Sequence, residues 1–449
     1  MFLLKLLPKV DKFVQNIAFN GLSTKLITKI SKKNIEYLRQ NIIDKNISYV
    51  DEDKLINEVI QQYQKIISPS LKKVINATGI IVHTNLGRSL ISPESFDKVK
   101  EIVTSYNNLE YDLEKGQRGE RYSHISKVLC ELLDCEDVLI VNNNASAVFL
   151  VLNTFAQNKE VVVSRGELVE IGGSFRVPDV MASSGAILKE IGTTNKTHLK
   201  DYENACNENS SILMKVHKSN YSIEGFTSEV SHEEIVKIAL KNGLIDYYDM
   251  GSGHMIDLPY NLNQIEPSVK EIMKSKPSLV SFSGDKLLGS VQAGIIVGKK
   301  KYIDKLKKNQ LLRMLRVDKI TLAILEDNII SLLLDKKENI PTLNMLFTPI
   351  DTLKTRALKV ETKIKDICKC TIIETQTLIG GGTTPNKKIP TIALSIEFKN
   401  YKPNKIENLF REKRVIGRIE NDKFLLDFRT IQESEIETII KTISEICHV

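Results

Sequence analysis

The chain has 449 residues, 42% of them hydrophobic and 27% charged, which allows two or three domains around a large core and excludes a disordered or fibrous protein. No uninterrupted apolar run approaches the ~18 residues of a membrane span, and Lys5, Lys9, Asp11 and Lys12 break up the opening Met-Phe-Leu-Leu, so neither an anchor nor a signal peptide is expected and a cytoplasmic location is. The net charge of +7 is concentrated: residues 1–75 hold 13 Lys+Arg against 7 Asp+Glu, a local +6.

In chain order, residues 1–70 read as several short helices. Apolar residues recur at helical spacing in Val10, Phe13, Val14 and Ile17, and again in Leu55, Ile56, Val59, Ile60 and Tyr63. A basic terminal module is either a handle for a polyanion or a solvated helical bundle. Ile66-Ile-Ser-Pro-Ser70 reads as a linker. Beyond it, short β-branched runs alternate with helical stretches: 138–141, 160–163, 186–188, 212–216, 245–248, 279–280 and 295–297. That alternation predicts a mostly parallel sheet covered on both faces. Residues 303–336 read as one or two amphipathic helices. From about 350 the pattern becomes α+β, with helix, two strands, helix, a strand pair and a closing helix. The expected domains are 1–70, 71–310 and 311–449, with no internal repeat. The six cysteines (130, 135, 206, 368, 370 and 447) lack zinc-type spacing, so no metal site is expected, and Cys368 and Cys370 read as small core residues.

Three segments are candidates for chemistry. Ser281-Phe-Ser-Gly-Asp-Lys286-Leu-Leu-Gly-Ser290 sets a lysine among Ser and Gly between two strands. Lys286 there suits a Schiff base, with Ser283 available to a phosphate; the alternative is an exposed lysine in a turn. Val141-Asn-Asn-Asn-Ala-Ser-Ala147 passes from strand to helix, so Asn144, Ala145 and Ser146 either cradle an anion with backbone N–H groups or form a plain N-cap. Asp249 ends a strand before Met-Gly-Ser-Gly253. A carboxylate at that edge can pair with a protonated pyridine nitrogen, or simply form the turn. His217 ends another strand and is either a cofactor contact or a structural histidine. Arg88, Arg313 and Arg316 suit anion binding or surface ion pairs, as do the arginines of Gly116-Gln-Arg-Gly-Glu-Arg-Tyr122.

Phosphate turn, strand-end Asp and Ser-x-x-Lys follow one another in an order that resembles aspartate-aminotransferase-like pyridoxal-phosphate (PLP) enzymes. Longer motifs narrow the resemblance. Val74-Ile-Asn-Ala-Thr-Gly-Ile-Ile-Val-His-Thr-Asn-Leu-Gly-Arg-Ser89 resembles the signature of bacterial L-seryl-tRNA(Sec) selenium transferases. The similarity continues through Arg165–Arg176, His217-Lys-Ser-Asn-Tyr221, Ser283–Gly289, Leu315–Lys319, Ile379-Gly-Gly-Gly382 and Val415–Glu420. The chain departs from the pattern at Ser146, where alanine is usual, at Lys218, where threonine is, and at Met250.

The resemblance implies an α/β, fold-type-I PLP-dependent transferase with a mostly parallel central sheet. It also implies an α+β C-terminal small domain and a helical N-terminal domain that binds tRNA. Lys286 would carry PLP, with Asp249, Ser283, Asn144, Ala145, Ser146 and His217 around it, and Arg88, Arg313 and Arg316 would hold the selenium donor. The implied reaction turns seryl-tRNA(Sec) into selenocysteinyl-tRNA(Sec) with selenophosphate: the serine β-hydroxyl is lost and selenium adds at Cβ. A homo-oligomeric ring of dimers, typically a decamer, is implied too. The alternatives are a PLP β-eliminase or ammonia-lyase acting on a small phosphorylated amino acid, and a non-catalytic RNA-binding scaffold. Selenium against sulfur is not readable from these residues.

Overall fold

The computed structural model describes residues 2–447 apart from 48, 172–174, 265 and 385, so Gly172–Ser174 within the Arg165–Arg176 motif lie outside the described residues. The chain divides into two compact units, Met1–Lys73 and Val74–Val449. Among the described residues no helix is long and apolar enough to cross a membrane.

The first unit is helical. Its main elements are α1 (Thr24–Ile43) and α2 (Glu52–Ile67). Asp51 caps α2 by accepting the Lys54 N–H at 2.9 Å, which satisfies one of the free donors of the first turn. Phe13, Phe19, Ile27, Ile30, Leu55, Val59 and Tyr63 form a small core of their own. Asn34 and Gln62 exchange amide hydrogen bonds of 3.0 and 2.9 Å beside it. Lys25, Lys29, Lys32 and Lys33 lie on the exposed side of α1.

The second unit is built on a seven-stranded sheet. Its strands are β1 (Asp137–Val141), β2 (Glu160–Ser164), β3 (Ile187–Ile191), β4 (Ser210–Val216), β5 (Ile245–Gly251), β6 (Leu279–Ser283) and β7 (Gly294–Gly298). Their order is β1-β7-β6-β5-β4-β2-β3. Only β7 runs antiparallel, pairing with both β6 and β1. Strands β1, β6 and β7 are buried along their whole length, as a sheet covered on both faces requires, and this is why they read as unbroken apolar runs.

The C-terminal layer holds a four-stranded antiparallel sheet, β8 (Lys369–Leu378), β9 (Lys388–Glu397), β10 (Arg418–Glu420) and β11 (Lys423–Asp427), ordered β8-β9-β11-β10. Residues 75–76 pair in parallel with 415–416, so the start of the second unit belongs to this layer, and Ile75 and Ala77 share its core.

The core of the large sheet draws on residues beyond 310, among them Ile379 and Ile389. Leu322, Leu325 and Ile329, on the helix Lys319–Leu333, pack into the core of the large sheet, as do Leu343 and Leu346. Sequence texture groups that helix with the C-terminal domain; its apolar face closes the large core instead.

Candidate active site

Parallel strands bring their carboxyl ends to one edge, and in open α/β sheets that edge is where ligands bind. Here β1, β4, β5 and β6 end together. Strand β7, being antiparallel, contributes its start to the same edge. The result is a cavity of about 250 Å³. Asn143, Asn144 and Ala145 line it after β1, His217 and Ser219 after β4, Asp249 and Gly251 at the end of β5, Ser283, Asp285 and Lys286 after β6, and Gln292 before β7. Gly294 permits the closure: a Cβ there would sit 2.1 Å from the Asn143 carbonyl oxygen, a contact no larger residue tolerates.

Lys286 is 7% exposed. Among the described residues none accepts a hydrogen bond from its Nζ. Burial lowers the pKa of the amine; Asp249 opposes that shift and Arg88 adds to it. Gly382 lies against the amine, with φ at +77°, and a Cβ there would come within 2.7 Å of Nζ.

Asp249 is buried, which raises its carboxyl above the usual range, while the Asn144 side chain donates to Oδ1 at 2.7 Å and counteracts the rise. His217 is held neutral by burial, its pKa lowered to about 4. Arg88, itself at φ +61°, donates to Asp285 Oδ2 at 2.7 Å, and Ser89 donates to the carbonyls of Asp285 and Lys286 at 2.8 Å. The loop carrying Arg88 therefore braces the lysine turn.

The structure does not gather every residue that the sequence singles out. Lys286, Asp249, Ser283, Asn144, Ala145, His217 and Arg88 all line the cavity. Ser146 does not: its N–H is taken by the Asn143 side chain at 2.8 Å, so the free amides at the start of α3 (Asn144–Phe155) are those of Asn144 and Ala145. Arg313 and Arg316 stay outside and exposed. The Asn142 N–H bonds the Leu315 carbonyl at 2.9 Å, which sets Arg316 beside the end of β1, with Nη1 3.8 Å from Glu110 Oε1.

Sequence reasoning missed Ser219, Gln292 and the turn around Gly382. The glycine run 380–382 was the available signal for the turn, but nothing in sequence spacing places it over Lys286, almost a hundred residues away.

The residues present fit pyridoxal phosphate. An unpartnered buried amine faces a buried carboxyl across the cavity. Two free helix-start amides and the Ser283 hydroxyl suit a phosphate, and Asn144 Oδ1 and His217 Nε2 are buried with no partner of their own. Fold and site together define a fold-type-I pyridoxal-phosphate enzyme. The fold is shared with D-glucosaminate-6-phosphate ammonia-lyase, at a TM-score of 0.62 and 19% identity over 86% of this chain and 98% of that one. The sequence is far more specific. Residues 74–432 match the model of the family described as L-seryl-tRNA selenium transferase. The L-seryl-tRNA(Sec) selenium transferase of Sulfurimonas denitrificans is 66% identical over 449 residues, covering 100% of both chains. Its counterpart from Aliarcobacter butzleri is 67% identical over 448 residues, 99% of each. The chain belongs to this family.

Proposed function

We propose that the chain converts seryl-tRNA(Sec) to selenocysteinyl-tRNA(Sec), with selenophosphate as the selenium donor. The observation that carries this reading is the Lys286–Asp249 arrangement in the edge cavity, in a chain two-thirds identical along its whole length to proteins named for that activity. When bound, pyridoxal phosphate supplies an electron sink that acidifies the serine Cα–H and eases loss of the β-hydroxyl.

The chain's own residues do the rest. Lys286 would hold the cofactor, and its amine is placed to take the Cα proton of the serine. Burial lowers the pKa of the amine, which favours the form able to accept that proton. Asp249 would pair with the ring nitrogen, whose positive charge would favour the ionised form of the buried carboxyl, and Asn144 fixes the position of Oδ1. The amides of Asn144 and Ala145 and the Ser283 hydroxyl would hold the cofactor's phosphate. His217, neutral by burial, would meet the ring without adding a cation beside Arg88. Arg88 faces the anionic donor inside the cavity, and Arg313 and Arg316 meet it outside.

Residues 1–70 are the tRNA handle, supported by the local +6 charge and the exposed lysines of α1. A ring of dimers in the cytoplasm completes the reading. The test is incubation of the purified protein with seryl-tRNA(Sec) and selenophosphate, followed by release and identification of the esterified amino acid. Selenocysteine is expected; serine recovered unchanged overturns the reading.

A further inference from the structure

Behind the cavity wall lies a carboxyl group that the proposed reaction does not use. Glu266 is 0% exposed. Its Oε2 accepts the Thr384 N–H at 3.0 Å and stands 4.0 Å from His217 Nε2. Its Oε1 has no partner, and neither has His217 Nε2. Two polar atoms are thus orphaned on side chains that face each other, and burial without a partner is unfavourable for each. A proton on the carboxyl would satisfy both, once the free oxygen turns toward Nε2 and the 4.0 Å separation of the two groups shortens to hydrogen-bonding distance.

Thr384 lies two residues beyond Gly382, the glycine that packs on Lys286 Nζ. Glu266 therefore stands between the imidazole of the cavity wall and the turn that covers the lysine.

We infer that Glu266 is a positioning residue, which as a carboxylic acid donates its proton to His217 Nε2 while accepting from the Thr384 N–H. The bond leaves the imidazole neutral, with its proton on Nδ1, and fixes the ring at one orientation in the cavity wall. A neutral ring adds no like charge beside the Arg88 guanidinium in the same cavity wall. The surroundings agree. Burial raises the Glu266 pKa to about 7, with the Thr384 N–H and Lys286 opposing. Around His217, Lys215, Lys218 and His254 disfavour a charged ring and Glu229 favours one, after burial. The role in turnover rests on the cavity being the cofactor site; the tautomer does not.

The test is selective nitrogen-15 labelling of histidine in the full-length protein without cofactor, with the His217 signal assigned by its loss in His217→Asn. At pH 6.5 the wild type should show a neutral ring protonated on Nδ1. Glu266→Gln can still donate to Nε2 and accept from Thr384, so it should keep that tautomer. Glu266→Leu should shift the ring to the Nε2–H form or to a mixture. In the loaded enzyme Glu266→Leu should lower kcat by roughly tenfold, the order seen when the partner that orients an imidazole is removed. KM for seryl-tRNA should move little, and Glu266→Gln should restore most of kcat. An Nε2–H or doubly protonated ring in the wild type overturns the inference even if the leucine variant does not fold. An unchanged tautomer in folded Glu266→Leu overturns it as well. A wild-type Nδ1–H ring in a protein that fails to make selenocysteine would sink the proposed function and leave this bond standing.

Discussion

The two units carry their charge in opposite ways. Residues 1–75 hold a net +6 and the remainder of the chain only +1. In the N-terminal unit the excess lies on solvated lysines such as Lys25, Lys29, Lys32 and Lys33, which act at long range and weaken with salt. In the second unit the ionisable groups that matter are few and buried: Lys286, Asp249 and Glu266. Water is excluded there, so each group's protonation is set by its neighbours. A near-neutral body can thus hold the chemistry while a basic appendage handles a polyanion, and net charge alone locates only the second.

The most severe challenge to this division is Lys286→Ala. Removing the buried amine takes away both the cofactor's attachment and the Cα base, so turnover should fall by at least ~10³-fold and the visible absorbance band of the purified protein should change or vanish. An alanine variant with wild-type rate and colour would place the chemistry elsewhere. Next in size is Asp249→Ala, which should cost about 10²-fold in kcat with cofactor retained, comparable to losing a strong electrostatic stabiliser. A loss below tenfold would make Asp249 a turn residue only.

Deleting residues 1–73 addresses the other side. The second unit begins at Val74 and has cores of its own, so the truncated protein should stay folded and coloured. Its affinity for seryl-tRNA(Sec) should drop by at least about tenfold at physiological salt, and the salt dependence of binding should flatten by ~0.7–0.9 in log–log slope for every phosphate that is no longer neutralised. Unchanged affinity and slope in a filter-binding titration would leave the basic unit without its role.

The smallest expected effect concerns burial itself. Residues 1–73 contain no histidine, whereas His232 in the second unit is buried, without a hydrogen-bond partner, and has its pKa lowered to about 3. Burial thus outweighs the Asp246 carboxyl 3.8 Å away. Between pH 3 and 6.5 the unfolded chain binds the proton and the folded chain does not, so this group adds stability as pH rises and loses it as pH falls. From pH 6.5 to 4.5 the wild type should lose about 2 kcal/mol more unfolding free energy than His232→Leu. Parallel losses in denaturant titrations would show His232 to be charged in the fold.

Much of this was legible in the sequence because buried parallel strands advertise themselves. The runs at 138–141, 212–216 and 245–248 are strands, and each ends beside the cavity. The turns that follow them carry the polar residues, so Lys286, Asp249 and Asn144 could be placed at one edge from chain order alone. What was not legible depends on partners distant in sequence. Ser146 reads like a phosphate donor until Asn143 is seen to take its N–H. Arg313 and Arg316 share a motif, but the chain beside β1 leaves them outside. Glu266 follows no pattern at all, and only folding brings it to His217 and Thr384. The packing of the helix at 319–333 was not legible either, because an amphipathic helix shows which face it buries but not against which sheet.

Whether the chemistry sits at the sheet edge around Lys286 can be read from borohydride reduction of the purified protein, followed by digestion and peptide mapping. The reduced cofactor should be found on the peptide carrying Lys286, in the full-length protein and in residues 74–449 alike. A label on any other lysine, or none in a yellow protein, would contradict that placement.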